Sequence, residues 1–376
     1  MARRKHGEGT VFQRKDGRYV AQVRLENGKK QQRYCKTEKE AQVALRKMLH
    51  EKEQGTLATG PNQTLKAYLE QWLEQAYRLS ILRISTYDMY RTMLYKHVIP
   101  VLGRVQLQRL APQQVQAFYA MKLEEGLGAG RVRKIHGMLH KALSNAVRWN
   151  LVAKNVCDLV TPPKQGRSEI QPLTAEQAQC LLKAAQTHKL EALLTVAVAT
   201  GMRRGELLGL HWQAIDFEAR CLYVRRTVGR VGKFGVVESE PKTRRSRRKI
   251  VLPAFVIEAL KRHQEHQQEM RKKAGDLWRE KDVVFCNIYG DYLDTVNLHR
   301  DFKRLLKSAE LPDIRFHDLR HSAATILLGM GVHPKIVQEI VGHSTIGMTL
   351  DVYSHVLPSM QQEAMDKLDD LFKRGE

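Results

Sequence analysis

The stretch RFHDLRHS, residues 315–322, places His317, Arg320 and His321 within about one helical turn, directly after a basic residue. Such a cluster has two natural ligands, a metal ion or an anion. His317 and His321 have the i, i+4 spacing of zinc-binding helices. The glutamate of a His-Glu-x-x-His motif is missing, however, and the Arg320 guanidinium would sit against the cation. Arginine offers phosphate oxygens a planar, permanently charged fork, and imidazole titrates near neutrality. The cluster points to a phosphate.

Bulk charge agrees. The chain has 63 Lys and Arg against 40 Asp and Glu in 376 residues, a net charge of +23. That excess suits a polyanion, where each neutralised phosphate releases counterions. No apolar run is long enough to span a bilayer, no basic amphipathic anchor stands out, and MARRKHGEG carries no signal-peptide core, so no membrane partner is expected. Cys35, Cys157, Cys180, Cys221 and Cys286 are scattered without paired spacing, as reduced cytosolic thiols are. The length predicts two or three domains, and the composition shifts favour three.

Residues 1–57 read as a three-stranded sheet plus one helix. Thr10–Lys15, Arg18–Leu25 and Gln31–Lys36 are joined at Asp16-Gly17 and Asn27-Gly28, dipeptides suited to tight hairpins. Thr37 and Glu40 predict a capping box opening a helix over Glu38–Gln54. Residues 1–60 hold 15 Lys and Arg against 7 Asp and Glu, and Arg18, Arg24 and Arg33 are candidates for laying this sheet in a DNA groove. A plain polar outer face is the alternative.

Residues 62–160 read as all-helical. Leu65, Tyr68, Leu69, Trp72 and Leu73 recur at helical spacing, Ser85 is placed to cap a second helix, and Pro112 suits the first turn of a third. A long amphipathic helix over Arg131–Trp149 carries Arg131, Arg133, Lys134 and Lys141, candidates for gripping duplex backbone. Residues 170–376 form the largest unit, mixed α+β, with Thr174 and Gln177 as another capping box and strands near Ala214–Phe217, Cys221–Thr227 and Arg248–Leu252. The expected fold class is multidomain and predominantly α with small β-sheets.

Four stretches of this last unit belong together: ATGMRRGELLGL (199–210), EPKTRRSRRKIVLP (240–253), FHDLRHSAATILLGMGV (316–332) and VGHSTIGMTLDVYSHV (341–356). In order and content they resemble the motifs of the tyrosine recombinase, or phage integrase, family, and the first two segments resemble an arm-type DNA-binding domain and a helical core-binding domain.

The resemblance implies site-specific recombination. A tyrosine hydroxyl attacks a DNA phosphodiester, a 3′-phosphotyrosine forms, and a second strand's 5′-hydroxyl reverses the step without metal or nucleotide cofactor. It assigns the phosphate-binding forks to Arg203 and Arg320, with Arg204 a neighbouring competitor, and a supporting carboxylate to Glu206. It assigns phosphate contacts or proton transfer to His317 and His343, the general acid to Lys242, and the nucleophile to Tyr353. His321 is left with a structural hydrogen bond. The same resemblance implies double-stranded DNA attachment sites, a homotetramer on DNA, accessory directionality or DNA-bending proteins, and a bacterial cytoplasmic setting.

The chemistry is consistent with these roles. A guanidinium fork donates two parallel hydrogen bonds, a flexible ammonium can follow a departing oxygen, and a phenol of pKa about 10 needs cationic help to attack at neutral pH. Met360, Met365, Leu368 and Leu371 outline a tail helix that docks on a neighbouring protomer or on its own domain. Two rival functions share the frame: a DNA-binding regulator that does not cleave, and type IB topoisomerase-like relaxation.

Overall fold

The computed structural model describes residues 9–24, 30–53, 61–166, 171–240 and 247–353, together with 365, 366, 369 and 372. The chain falls into two compact units, Met1–Arg167 and Ser168–Glu376. No helix among the described residues is long and apolar enough to cross a membrane.

The first unit begins with an antiparallel sheet of β1 (Thr10–Gln13), β2 (Tyr19–Arg24) and β3 (Lys30–Cys35), order β1-β2-β3. The first hairpin turns at Gly17, whose φ of +83° explains the glycine after Asp16. The Asn27-Gly28 turn lies outside the described residues. Helix α1 (Glu38–Glu53) starts at the expected capping box, with the Glu40 N–H donating to Thr37 Oγ1 at 3.3 Å and the Thr37 N–H donating to Glu40 Oε2 at 3.4 Å. It covers the sheet face bearing Ala21 and Val23 through Ala41 and Met48, all fully buried.

The helical remainder holds α2 (Leu65–Arg78), α3 (Ile84–Met93), α4 (Ile99–Leu102), α5 (Pro112–Glu124) and α6 (Ala129–Arg148). Tyr68, Leu69 and Trp72 are buried as their spacing requires, and the Tyr68 hydroxyl donates to the Ala142 carbonyl of α6. One expectation fails. Ser85 does not cap α3, which starts a residue earlier behind an extended Arg83 and has no side-chain cap. A serine inside the first turn has no upstream role there, because capping needs non-helical backbone at that residue.

The second unit packs α7 (Ala175–Ala185), α8 (Glu191–Thr200) and the short α9 (Arg204–Leu208) beside two small sheets. Thr174 and Gln177 exchange both capping bonds at the head of α7. The sheets are β4 (Ile215–Asp216), β5 (Cys221–Val224) and β8 (Arg248–Val251) in the order β4-β5-β8, and a hairpin of β6 (Thr227–Val231) with β7 (Gly235–Ser239). The hairpin was not foreseen; Gly229, Gly232 and Gly235 break its apolar alternation. Then follow α10 (Ala254–Ala274), α11 (Thr295–Ser308), α12 (Asp318–Gly329), α13 (Pro334–Val341) and α14 (Ile346–Tyr353).

Helix α8 is apolar almost all round because neighbours cover it; α7, α10 and α12 all pack on it. Each of its fully buried leucines contributes about 1.5–3 kcal/mol relative to an exposed one. This rigid helix ends at Gly201, whose φ of +60° supplies a left-handed C-cap. The same glycine permits a close approach, since a Cβ there would stand 2.7 Å from Val341 Cγ1. The start of the ATGMRRGELLGL stretch and the end of α13 are thereby brought together.

Candidate active site

Long-range contacts of Arg203 and Arg320 bring three of the four stretches into one place, and Arg248 adds the fourth. Arg203, extended before α9, donates from Nη1 to Glu206 Oε1 at 2.7 Å and from Nη2 to the Gly342 carbonyl at 2.8 Å. Arg320 on α12 donates from Nη1 to the carbonyls of Gly201, at 2.8 Å, and Val341. Both guanidiniums therefore grip the C-terminus of α13, where unpaired carbonyls carry partial negative charge. Arg204, by contrast, is exposed.

Glu206 sits beneath this pair, 3 % exposed. Its Oε2 accepts the Arg203 backbone N–H at 3.0 Å and Arg248 Nη2 at 3.1 Å. Burial alone would raise the carboxyl, but Arg248 and Arg203 outweigh it and hold it below the usual carboxylate range. The sequence foresaw the Arg203–Glu206 pairing and missed Arg248, which lay hidden in a run of arginines. A signal was available: Arg248, Ile250 and Leu252 alternate with exposed Lys249 and Val251, so strand periodicity turns Arg248 inward.

Arg320 is 3 % exposed, and its Nη2 is buried without a hydrogen-bond partner among the described residues. Burial, and then Arg203 and Arg248, push its pKa down to about 9, which leaves it cationic at neutral pH. An unsatisfied buried donor costs about 1–3 kcal/mol, and Nη2 is such a donor, unspent at this corner. Arg203 opens this corner to solvent, with 35 % of its side chain exposed.

The histidines complete the rim. His343 follows Gly342, the left-handed C-cap of α13 (φ +72°), and its Nδ1 lies 2.9 Å from Thr349 Oγ1 on α14. That contact leaves Nε2 as the nitrogen able to meet a ligand. Burial, and then Arg320, His321 and Arg203, push His343 down to about 3. His317 lies at the head of α12, its ring 5.4 Å from that of His321 and nearly perpendicular to it. Its pKa is lowered by desolvation, then by His321 and Arg320. The hydrogen bond expected of His321 is not found at Nδ1, which is buried without a partner among the described residues. Arg315, first in the opening stretch, turns aside to pair with Asp318 at 2.8 Å and fixes the start of α12.

With the histidines neutral, three guanidiniums against one carboxylate leave a local excess of positive charge. Among the described residues there is no group of three or more His, Cys, Asp or Glu placed to hold a metal ion. Tyr353 ends α14, a short helix packed on α12 and α13; its side chain lies outside the described residues, as does Lys242.

The other basic candidates are spread over separate surfaces. Arg24 is exposed and pairs in register with Lys30, on the sheet face away from α1. Arg18 is held by Asp16 at 2.7 Å, with its guanidinium 5.4 Å above the Tyr34 ring. Arg33 instead shares the helix-covered face with Ala21 and pairs with Glu51 at 2.9 Å, so sheet pleating separates it from Arg24. Arg131, Arg133, Lys134 and Lys141 line the exposed side of α6, and Arg133 donates to the Pro163 carbonyl at 3.2 Å.

Comparisons with known proteins identify the lineage. Residues 171–360 match the model described as phage integrase family, and residues 64–123 match the phage integrase N-terminal SAM-like domain. The chain is 32 % identical to a tyrosine recombinase XerC-like protein of Caldanaerobacter subterraneus, over 93 % of this chain and 94 % of that protein. Among solved structures, the Tn1549 transposon integrase in complex with transposon right end DNA covers 82 % of this chain and 100 % of its own, with TM-score 0.68 at 23 % identity. A lambda integrase tetramer bound to a Holliday junction covers 89 % of this chain and 95 % of its own, with TM-score 0.57 at 19 % identity. Matched over half its length by the family model and over nearly all of it by a relative of such identity, the chain belongs to the phage integrase family and is a tyrosine recombinase, an enzyme that cuts and rejoins DNA.

Proposed function

We propose that the Arg203–Arg320 corner binds one scissile DNA phosphate and that Tyr353 attacks it. The buried, unpartnered Nη2 of Arg320 beside the half-open Arg203 carries this reading, because two fixed forks with one donor unspent describe a receptor for a phosphodiester. The phenol of Tyr353 gives up its proton to solvent as its oxygen bonds to phosphorus and the P–O5′ bond breaks, giving a 3′-phosphotyrosine. Lys242 protonates the departing 5′-oxygen. A 5′-hydroxyl from another strand then attacks the phosphotyrosine, its proton returns along the same path, and the tyrosine is released.

The arginines stabilise charge growing on the equatorial oxygens, a role in which removing one preorganised donor costs about 10²–10³ in rate. Neutral His343, fixed through Nδ1, hydrogen-bonds the phosphate through Nε2, and His317 does the same from the rim. Glu206 keeps Arg203 aimed.

Around this centre the chain works as three segments, residues 1–57 on arm-type DNA, 62–160 on core DNA, and 170–376 in catalysis. Arg18 and Arg24 lie on the arm segment, with Arg33 as a brace between its sheet and helix. Arg131, Arg133, Lys134 and Lys141 contact the core duplex. The partner is double-stranded DNA at attachment sites of a phage or other mobile element in a bacterial cytoplasm, where four copies assemble with accessory bending or directionality proteins. The transposon integrase and the lambda tetramer support that assembly by likeness of fold.

The test uses a nicked duplex carrying the site that the full chain selects from a random library. The parent is expected to form an adduct that resists detergent and yields to protease, and Tyr353→Phe none. Equal adduct from Tyr353→Phe sinks the nucleophile assignment, and loss of the parent's adduct on adding a chelator returns a metal mechanism.

A further inference from the structure

Arg248 belongs to none of the roles above, yet its guanidinium is the point at which two halves of the site meet. Its side chain is 7 % exposed, so it lies behind the ring of donors that faces solvent. Nη2 pairs with Glu206 Oε2 at 3.1 Å, on the carboxylate that aims Arg203, and Nε donates to the Ile340 carbonyl at 2.8 Å. Three successive carbonyls at the end of α13 are thus held by three arginines from three stretches: Ile340 by Arg248, Val341 by Arg320 and Gly342 by Arg203. His343 comes next in the chain.

The packing is tight. A Cβ at Gly342 would stand 2.9 Å from Arg248 Cζ. Arg248 also opens β8, directly after Arg247, whose guanidinium pairs with Glu240 at 2.6 Å across the root of the segment that carries Lys242.

We propose that Arg248 is a positioning residue for strand cleavage, a buried fork that sets the Glu206–Arg203 pair and the α13–His343 junction at one fixed separation while never touching DNA. Lysine cannot do this. The carbonyl and the carboxylate lie on two different nitrogens of one rigid plane, and an ammonium presents a single point charge. With the fork lost, the helix end would keep two of its three arginine clamps, Glu206 would lose its tie to Ile340, and the two phosphate-binding arginines would drift relative to His343. Misplacement by about 1 Å is enough to cost about 10²-fold in rate.

This inference rests on the phosphate reading of Arg203 and Arg320, and the Tyr353→Phe comparison tests that reading separately. The experiment measures adduct formation on the nicked, library-selected duplex at saturating DNA, with affinity and melting temperature for each variant. Arg248→Lys is expected to bind DNA within about twofold of the parent and to form adduct about 10²-fold more slowly. Placed in a Glu206→Gln chain, the same change should cost only a few-fold more, since both residues act on one geometry. A parental rate, fully additive losses, or a rate loss matched by an equal loss of affinity overturns the proposal. Should Arg248→Lys melt early, Arg248→Ala with free ethylguanidinium decides: a restored rate at unchanged affinity supports the proposal, and no restoration defeats it. If Tyr353→Phe removes the adduct while Arg248→Lys cleaves at the parental rate, only the role of Arg248 falls.

Discussion

The arginines and lysines of α6 carry the same charge as those around Glu206 and obey different physics. Arg131, Lys134 and Lys141 stand exposed on one helix face, so the binding proposed for them would rest on counterion release that salt erodes. Arg203, Arg248 and Arg320 are tied to backbone carbonyls or a buried carboxylate, with little freedom to lose when a phosphate arrives. Removing an exposed cation weakens attraction, whereas removing a fixed one leaves carbonyls and a carboxylate stranded and dissolves a geometry. On the proposed reading, position in the fold, more than charge, separates affinity from catalysis.

The contrast is most exposed at Arg320. Arg320→Lys should slow adduct formation by about 10³-fold at saturating DNA, the upper range for losing one fixed donor, with affinity changed far less. An affinity loss as large as the rate loss would make Arg320 no different from the α6 cations. Gly342→Ala comes next. It forces an L-residue to φ +72° and drives a methyl into the Arg248 guanidinium. A loss of about 1–3 kcal/mol in denaturant unfolding is expected, with slower cleavage; an unchanged unfolding midpoint would show the junction to be loose.

A third measurement uses pH. His343, His317 and His321 all have folded pKa values below the ordinary 6.5, with His343 near 3. Folding therefore favours their neutral forms. Their contribution is fully present above pH 6.5 and lost as pH falls from there towards 3, by at most about 1.4 kcal/mol per pH unit for each group. Unfolding midpoints across that window should decline, and His343→Asn should flatten part of the decline. A parallel decline in the variant would mean that His343 is not held neutral by the guanidinium ring.

The smallest effect belongs to α6. Replacing Arg131, Lys134 or Lys141 singly by alanine should lower the slope of log affinity against log salt by about 0.9 each and leave the saturated cleavage rate unchanged. A changed saturated rate would give that helix a hand in the chemistry.

Much of the site was legible because its members are unusual residues at short spacing. Arg203 with Glu206, and Arg320 with His317 in the RFHDLRHS turn, stand out in the bare sequence, whereas the side chain of Tyr353 lies outside the described residues. Capping boxes at Thr37 and Thr174 marked helix starts correctly, since capping is settled within four residues. Ser85 misled for the same local reason: a good capping residue is silent once the chain begins its helix a residue earlier. Arg33 misled through pleating, which put it on the covered face. Arg248 was overlooked because four arginines in five residues look alike until one strand turns every second side chain inward.

Chemistry, then, was written locally: which side chains are present, in what order, and with which charge. Only the tertiary structure decided that Arg203 would meet the carbonyl of Gly342, 139 residues away, and that Arg248 would stand between Glu206 and Ile340. Backbone carbonyls are the same at every position, so no pattern of side chains announces which of them a guanidinium will find. That choice follows from the packing of α8, α12 and α13, where Gly201 lets two chain segments approach closely enough for three arginines to share one helix end.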